Sequence, residues 1–171
     1  MVSFRQQNGF FFRPRLKRLQ DLQTEIFRQL QLLIPDQAAH YDSLQSRVPG
    51  SPLLRMDILE RHPYTHFLRL TYQFENEEQQ EIAPDAHIRM YYDARLAEVT
   101  SFNPDQGFRR TAHPYYPQHH LFQRSWRQNR TLDKWLGHLL HQGHSITSMQ
   151  PAADRISGKQ AAPLKQTTHG Q

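Results

Sequence analysis

Residues 88–99, "IRMYYDARLAEV", bring together Arg89, Tyr91, Asp93 and Glu98. A guanidinium can grip a carboxylate or phosphate with two parallel hydrogen bonds. A carboxylate in reach can orient the captured group or act as a general base. The stretch alternates like a hairpin. Ile88, Met90 and Tyr92 fall on one face of the first strand, and Arg89, Tyr91 and Asp93 fall on the other. A turn centred on Ala94–Arg95 predicts the pairs Asp93/Leu96, Tyr92/Ala97, Tyr91/Glu98, Met90/Val99 and Arg89/Thr100. Glu98 then lies opposite Tyr91 and diagonal to Arg89 and Asp93. Two chemistries fit: a solvated cross-strand ion pair, or an anion pocket with Glu98 or Asp93 as base. Surface ion pairs are much the commoner feature, and a slip in register would disperse the cluster.

A second set of residues lies downstream. Segment 108–130 interleaves Arg109, Arg110, Arg124, Arg127 and Arg130 with Tyr115, Tyr116, Phe122 and Trp126. Basic and aromatic residues together can pair phosphates and stack bases of single-stranded RNA. The same composition also suits a loop whose aromatics pack inward while its arginines stay solvated. Of the eleven histidines, His138, His141 and His144 are spaced by three, but no metal motif accompanies them. Histidines close to a helix C-terminus are favourable without a metal. No metal and no cofactor is expected. Nucleophilic catalysis has no support: the chain has no cysteine, no Gly-x-Ser-x-Gly elbow and no glycine-rich phosphate loop.

These residues must be positioned by a small set of elements. Leu16, Leu19, Leu22, Ile26, Leu30 and Leu33 step by three and four, which predicts a helix from Pro14 to Ile34, stopped by Pro35. Arg13, Arg15, Lys17 and Arg18 crowd its start, against the helix dipole. Residues 36–52 read as irregular. Strands follow at 53–60, 66–74, 87–93 and 96–102, joined by short links. They form a four-stranded antiparallel meander with one polar face. Residues 103–120 read as loop. A last helix runs from Arg127 or Asn129 to Gln142, with Leu132, Trp135, Leu136, Leu139 and Leu140 inward and Gly143 as its C-cap. The expected fold class is α+β, with an N-terminal and a C-terminal helix covering one face of the sheet. The expected organisation is a flexible 1–13, a single domain over 14–149 and a disordered tail over 150–171.

Bulk properties narrow the function classes. No apolar run approaches the ~20 residues of a membrane helix, and no secretory leader is visible. The expected site of action is the cytoplasm, with no membrane partner. Formal net charge is +5, carried by seventeen Arg and four Lys. That balance permits a nucleic-acid partner without requiring one.

Several segments resemble the YqiB-like family of uncharacterised proteobacterial proteins, a domain of unknown function. "RMYYDARLAEV" resembles its signature Arg-x-Tyr-x-Asp-Ala-x-x-Ala-Glu-Val. "RLQDLQTEIFRQLQLLIP" resembles its N-terminal helix, and "RMDILERHPYTHFLRLTY", with Tyr64–Thr65, its first hairpin. "HPYYP" and "WLGHLLHQG" are similar to its Tyr-Pro loop and closing helix. The resemblance covers Arg15–Gly143. One departure lies in 122–132, where Ser125–Trp126 replaces the acidic pair of the family's His-Gln-Arg-Asp-Glu-Lys run. The resemblance implies a single α+β domain and no reaction. The leading expectation is a non-catalytic binding or accessory protein with an unidentified partner, protein included. The alternatives are an RNA or nucleotide binder using 108–130, and an enzyme acting on a small anionic substrate.

Overall fold

The structure, a computed structural model, describes residues 8–74, 83–102 and 118–152. Helix α1 spans Asn8–Gln31 and a 3-10 turn follows at Asp36–His40. Then come β1 (Ser43–Ser46), β2 (Leu53–His62), β3 (Thr65–Gln73), β4 (Asp85–Tyr91) and β5 (Leu96–Phe102). Helix α2 spans Gln118–His141, and β6 (Met149–Pro151) closes the described chain.

The fold is α+β as expected, but the sheet has six strands rather than four, in the order β5-β4-β3-β2-β1-β6. The expected meander forms its β5-to-β2 portion. The two added strands are β1, within the segment read as irregular, and β6, at the start of the segment read as tail. They pair antiparallel with each other, Ser46 opposite Met149. Each is too short to show a period. Leu44 is the only apolar residue of β1, and its burial depends on partners far away in sequence.

Alternation built the strands. Leu54, Met56 and Ile58 of β2, Leu68, Leu70 and Tyr72 of β3, and Ala86, Ile88 and Met90 of β4 are buried on one face. Against it lie Ile26, Phe27, Leu30 and Leu33 from the α1 side and Leu132, Trp135, Leu136 and Leu139 of α2. Burying one such side chain is worth about 1.5–3 kcal/mol, so this shared layer fixes both helices on one face. Leu16, expected in the apolar stripe, is half-exposed. At the β5 edge, buried Asn129 accepts the Val99 N–H at 3.2 Å and donates to the Ser125 carbonyl at 2.8 Å, which satisfies a ladder group that no further strand pairs among the described residues.

Both helices are longer than their apolar stripes suggested. Helix α1 runs through Pro14 from Asn8, so it starts six residues before the expected Pro14. Arg13, Arg15, Lys17 and Arg18 then sit beyond the first turn, where the dipole no longer opposes them strongly. Helix α2 begins nine residues before Arg127. The α2 C-cap is as expected: Gly143 has φ +100°, and the His144 N–H bonds to the Leu139 carbonyl at 3.1 Å.

Candidate functional site

The β4–β5 hairpin forms, but with a four-residue loop, Tyr92–Arg95, instead of two. Tyr91 pairs Leu96, Met90 pairs Ala97, and Arg89 pairs Glu98. The slip from the expected register is two residues, so every side chain keeps its face but changes its partner. Arg89 faces Glu98 directly. The Tyr91 hydroxyl donates to Glu98 Oε1 at 2.9 Å from the diagonal position. Tyr91, with support from Glu98 and Glu60, holds the Arg89 guanidinium firmly in its charged form, and the guanidinium also lies 5.7 Å from the Phe67 ring centre. Asp93 leaves the cluster: it sits in the turn, exposed, and accepts the Ala94 N–H at 2.8 Å. Thr100 bulges out opposite His87–Ile88 and donates to the His87 carbonyl. The cluster is therefore Arg89, Tyr91 and Glu98.

The rest of that open sheet face follows the same pattern. Arg55 donates to Asp57 at 2.9 Å, and Ser43 donates to the same carboxylate at 2.7 Å. Arg69 grips Asp85 with two bonds of 2.9 and 2.6 Å. Arg55, Arg69 and Arg89 are thus matched by Asp57, Asp85 and Glu98, with Glu60 also near Arg89, so these arginines leave the face no positive excess. The Arg69–Asp85 pair escaped sequence reasoning because it depends on cross-strand register, and the Arg55–Asp57 pair, two residues apart on β2, because nothing local singles it out.

Of the second set, Arg109, Arg110, Tyr115 and Tyr116 lie outside the described residues. Arg124, Trp126 and Arg127 all lie on α2, which starts at Gln118 rather than at Arg127 or Asn129. At 3.6 residues per turn, Arg124, Arg127, Arg130, Lys134, His138 and His141 fall within roughly a third of the helix circumference, over about 26 Å. All six are exposed. Half-buried Trp126 borders the stripe. Asp133, the one acid of α2, points inward and accepts the Gln29 amide of α1 at 3.1 Å. Its carboxyl pKa is raised above the ordinary value, mainly by burial and also by Glu25. Sequence reasoning had Arg124, Arg127 and Arg130 but not Lys134, His138 and His141 as one surface, because the helix start was placed too late.

The three closing histidines separate. His138 and His141 are on the α2 stripe, whereas His144 is 1% exposed. Its Nδ1 lies 2.8 Å from Ser46 Oγ and its Nε2 lies 3.0 Å from Ser51 Oγ. Ser51 Oγ and the Tyr72 hydroxyl both donate to Gln142 Oε1, at 2.7 and 3.2 Å, and Ser46 meets Ser148 Oγ at 2.7 Å. Burial, and less strongly His138, lowers the His144 pKa, so it stays neutral. A neutral imidazole with one nitrogen donating and one accepting suits two serine hydroxyls. The network joins β1, the β1–β2 loop and the end of α2. Among the described residues no three His, Asp or Glu side chains are grouped to hold a metal ion.

Among the described residues no helix is long and apolar enough to cross a membrane. No curated protein and no solved structure matches the chain. One family model does match, over residues 29–145, more than half of the sequence, from the end of α1 to just past the α2 C-cap. It takes in β1 to β5, the Arg89–Tyr91–Glu98 hairpin and the whole basic stripe, and the chain belongs to the family described as "Protein of unknown function (DUF1249)".

Proposed function

We propose that the protein is a non-catalytic binding protein that holds single-stranded RNA along the outer face of α2. The carrying observation is where the charge lies. Helices α1 and α2 contain nine Lys and Arg against three Asp and Glu, while the rest of the chain has twelve against thirteen. The helical layer therefore accounts for all of the net positive charge. The sheet face, with its arginines matched to carboxylates, offers a polyanion little attraction.

On α2 the basic residues recur every three or four positions, in steps of about 5 Å along the axis. Three of the four Lys/Arg are arginines, which fit phosphate bidentately and stack on bases. Trp126 at the edge of the stripe supplies an aromatic plane. An anionic membrane is a poorer fit, because the apolar side of α2 is spent on the core and nothing is left to enter lipid. The same reading takes the chain as a YqiB-like protein of the cytoplasm. It gives Arg89, Tyr91 and Glu98 a structural role rather than an enzymatic one: Glu98 has Tyr91 as donor and Arg89 as counter-ion.

The test is fluorescence anisotropy with a labelled 12-nucleotide RNA. Four phosphate contacts give a log–log salt slope of about −2.8, or roughly fifty-fold weaker binding between 50 and 200 mM salt. Arg127→Glu with Lys134→Glu should weaken binding at least tenfold and bring the slope to about −1.4. Both residues are exposed, so stability should move by less than about 0.5 kcal/mol. Binding unchanged in the double variant, or insensitive to salt, overturns the proposal.

A further inference from the structure

A cleft at the end of the sheet is not explained by the α2 stripe and shares no residue with it. We infer that it binds a nucleoside 5′-monophosphate with an amino-bearing base. The cleft comprises two adjoining cavities, of about 270 and 540 Å³, which share Gln31 and Tyr92 as lining residues. Ile34, Ile58 and Met90 give the smaller chamber apolar walls, with His66 and Asp36 as its polar groups. Phe27, Thr24, Arg28 and Arg95 line the larger one. Apolar walls with a few convergent polar groups at one end and cations at the other suit a flat base carrying an anionic tail.

The chemistry of each chamber is specific. The Gln31 amide offers a donor and an acceptor, the pair that matches the N6/N7 edge of adenine. The Asp36 carboxylate accepts from an exocyclic amine and would repel a carbonyl there. His66 is fixed by Tyr92, whose hydroxyl lies 2.8 Å from Nδ1, and Nε2 has no partner among the described residues. Tyr92 in turn packs edge-on against Phe27 at 6.0 Å. The 3-10 turn that walls the smaller chamber is braced by Arg61, which donates to the Ala38 and Tyr41 carbonyls and to Asp42. In the larger chamber Arg28 is engaged by Glu25. Arg95 makes no hydrogen bond or ion pair among the described residues, so it is the cation left for a phosphate.

Arg95 also stands out by its backbone. It has φ +53°, the one positive-φ residue other than glycine among those described. Glycine or asparagine fits this position at the end of a hairpin loop with less strain. An arginine held there, against local preference and at the mouth of a cleft, is the kind of strain that function retains.

The test uses the full chain and two readouts, thermal shift and isothermal titration, with AMP, CMP, UMP, adenosine and inorganic phosphate. AMP and CMP should raise Tm in a concentration-dependent way, with UMP, adenosine and phosphate at least about tenfold weaker. Arg95→Gly should raise the Tm of the free protein by about 2–4 °C and weaken AMP at least about tenfold. Tyr92→Phe keeps the ring, frees His66 and should weaken AMP with Arg95 intact. No nucleotide binding at millimolar concentration, phosphate alone as strong as AMP, or undiminished AMP binding in Arg95→Gly each overturns the inference. RNA binding by the α2 variants is scored separately, so either result can stand without the other.

Discussion

Lowering the pH from 7.5 to 5.5 should weaken the fold, with His144 contributing a large share. The imidazole is 1% exposed, between Ser46 and Ser51, and its folded pKa lies below the ordinary 6.5 because charging it there costs solvation. The unfolded chain therefore takes up the proton first. Stability from this group is complete above about pH 6.5 and declines as pH falls below it, until the folded pKa is passed. The slope is at most about 1.4 kcal/mol per pH unit per histidine. Two pH units straddling 6.5 give a ceiling of roughly 1.4 kcal/mol for each such group. His66 shifts the same way, through burial first and then the nearby charges of Arg61 and His62, so the two together set a ceiling of about 2.7 kcal/mol. Glu25, held low by Arg28, acts only further into acid. Urea denaturation at both pH values, with slopes compared, measures the difference. His144→Asn keeps a donor and an acceptor beside the serines and cannot titrate. Whatever it costs at pH 7.5, its loss on acidification should be smaller than the parent's by up to about 1.4 kcal/mol. An unchanged loss in the variant would refute the assignment of this limb to His144.

Two further outcomes follow from buried polar groups and from the sheet edge. Asp133→Asn should stabilise the chain at pH 7 by about 0.5–1.5 kcal/mol. A carboxylate whose pKa is raised by folding costs stability once ionised, and the new amide N–H can serve Gln29 Oε1, which is buried and without a partner; an unchanged or lower Tm would count against it. Ending the chain after Ser148 should lower Tm by about 6–12 °C, from about 3 kcal/mol for Met149 burial and three lost strand pairs. β1 amides should also lose exchange protection, whereas ending after Ala152 keeps β6 and should change little.

Legibility tracked the range of the interactions. Strands β2 to β5 and the cores of both helices were written in local period: Leu54-Met56-Ile58 and Leu68-Leu70-Tyr72 alternate, and Leu132-Trp135-Leu136-Leu139 step by three and four. The helix starts were not, because the first turns of α2 carry few apolar residues and helical continuation there depends on neighbours already in place. The Arg89–Tyr91–Glu98 cluster was legible as a face, since period two fixes which side a residue takes. Its partners were not, since loop length sets register: four loop residues made Arg89 oppose Glu98 and released Asp93 to the turn. The basic stripe was half legible, and the cleft not at all. Its walls come from Gln31, Asp36, Ile58, His66, Met90 and Tyr92, on five separate stretches.

By itself the sequence determined the α+β class, the core positions, the two faces of each strand and the absence of thiol chemistry, because local periodicity and composition need no partner to act. Tertiary structure alone decided that Ser43–Ser46 and Met149–Pro151 become strands at one sheet edge. It also decided that His144 is buried between two serines and that Tyr92 and Arg95 of the hairpin loop line a cleft together with Gln31 of α1. Each of these depends on groups far apart in the chain, and backbone hydrogen bonds and burial favour them only after the core has brought those groups together.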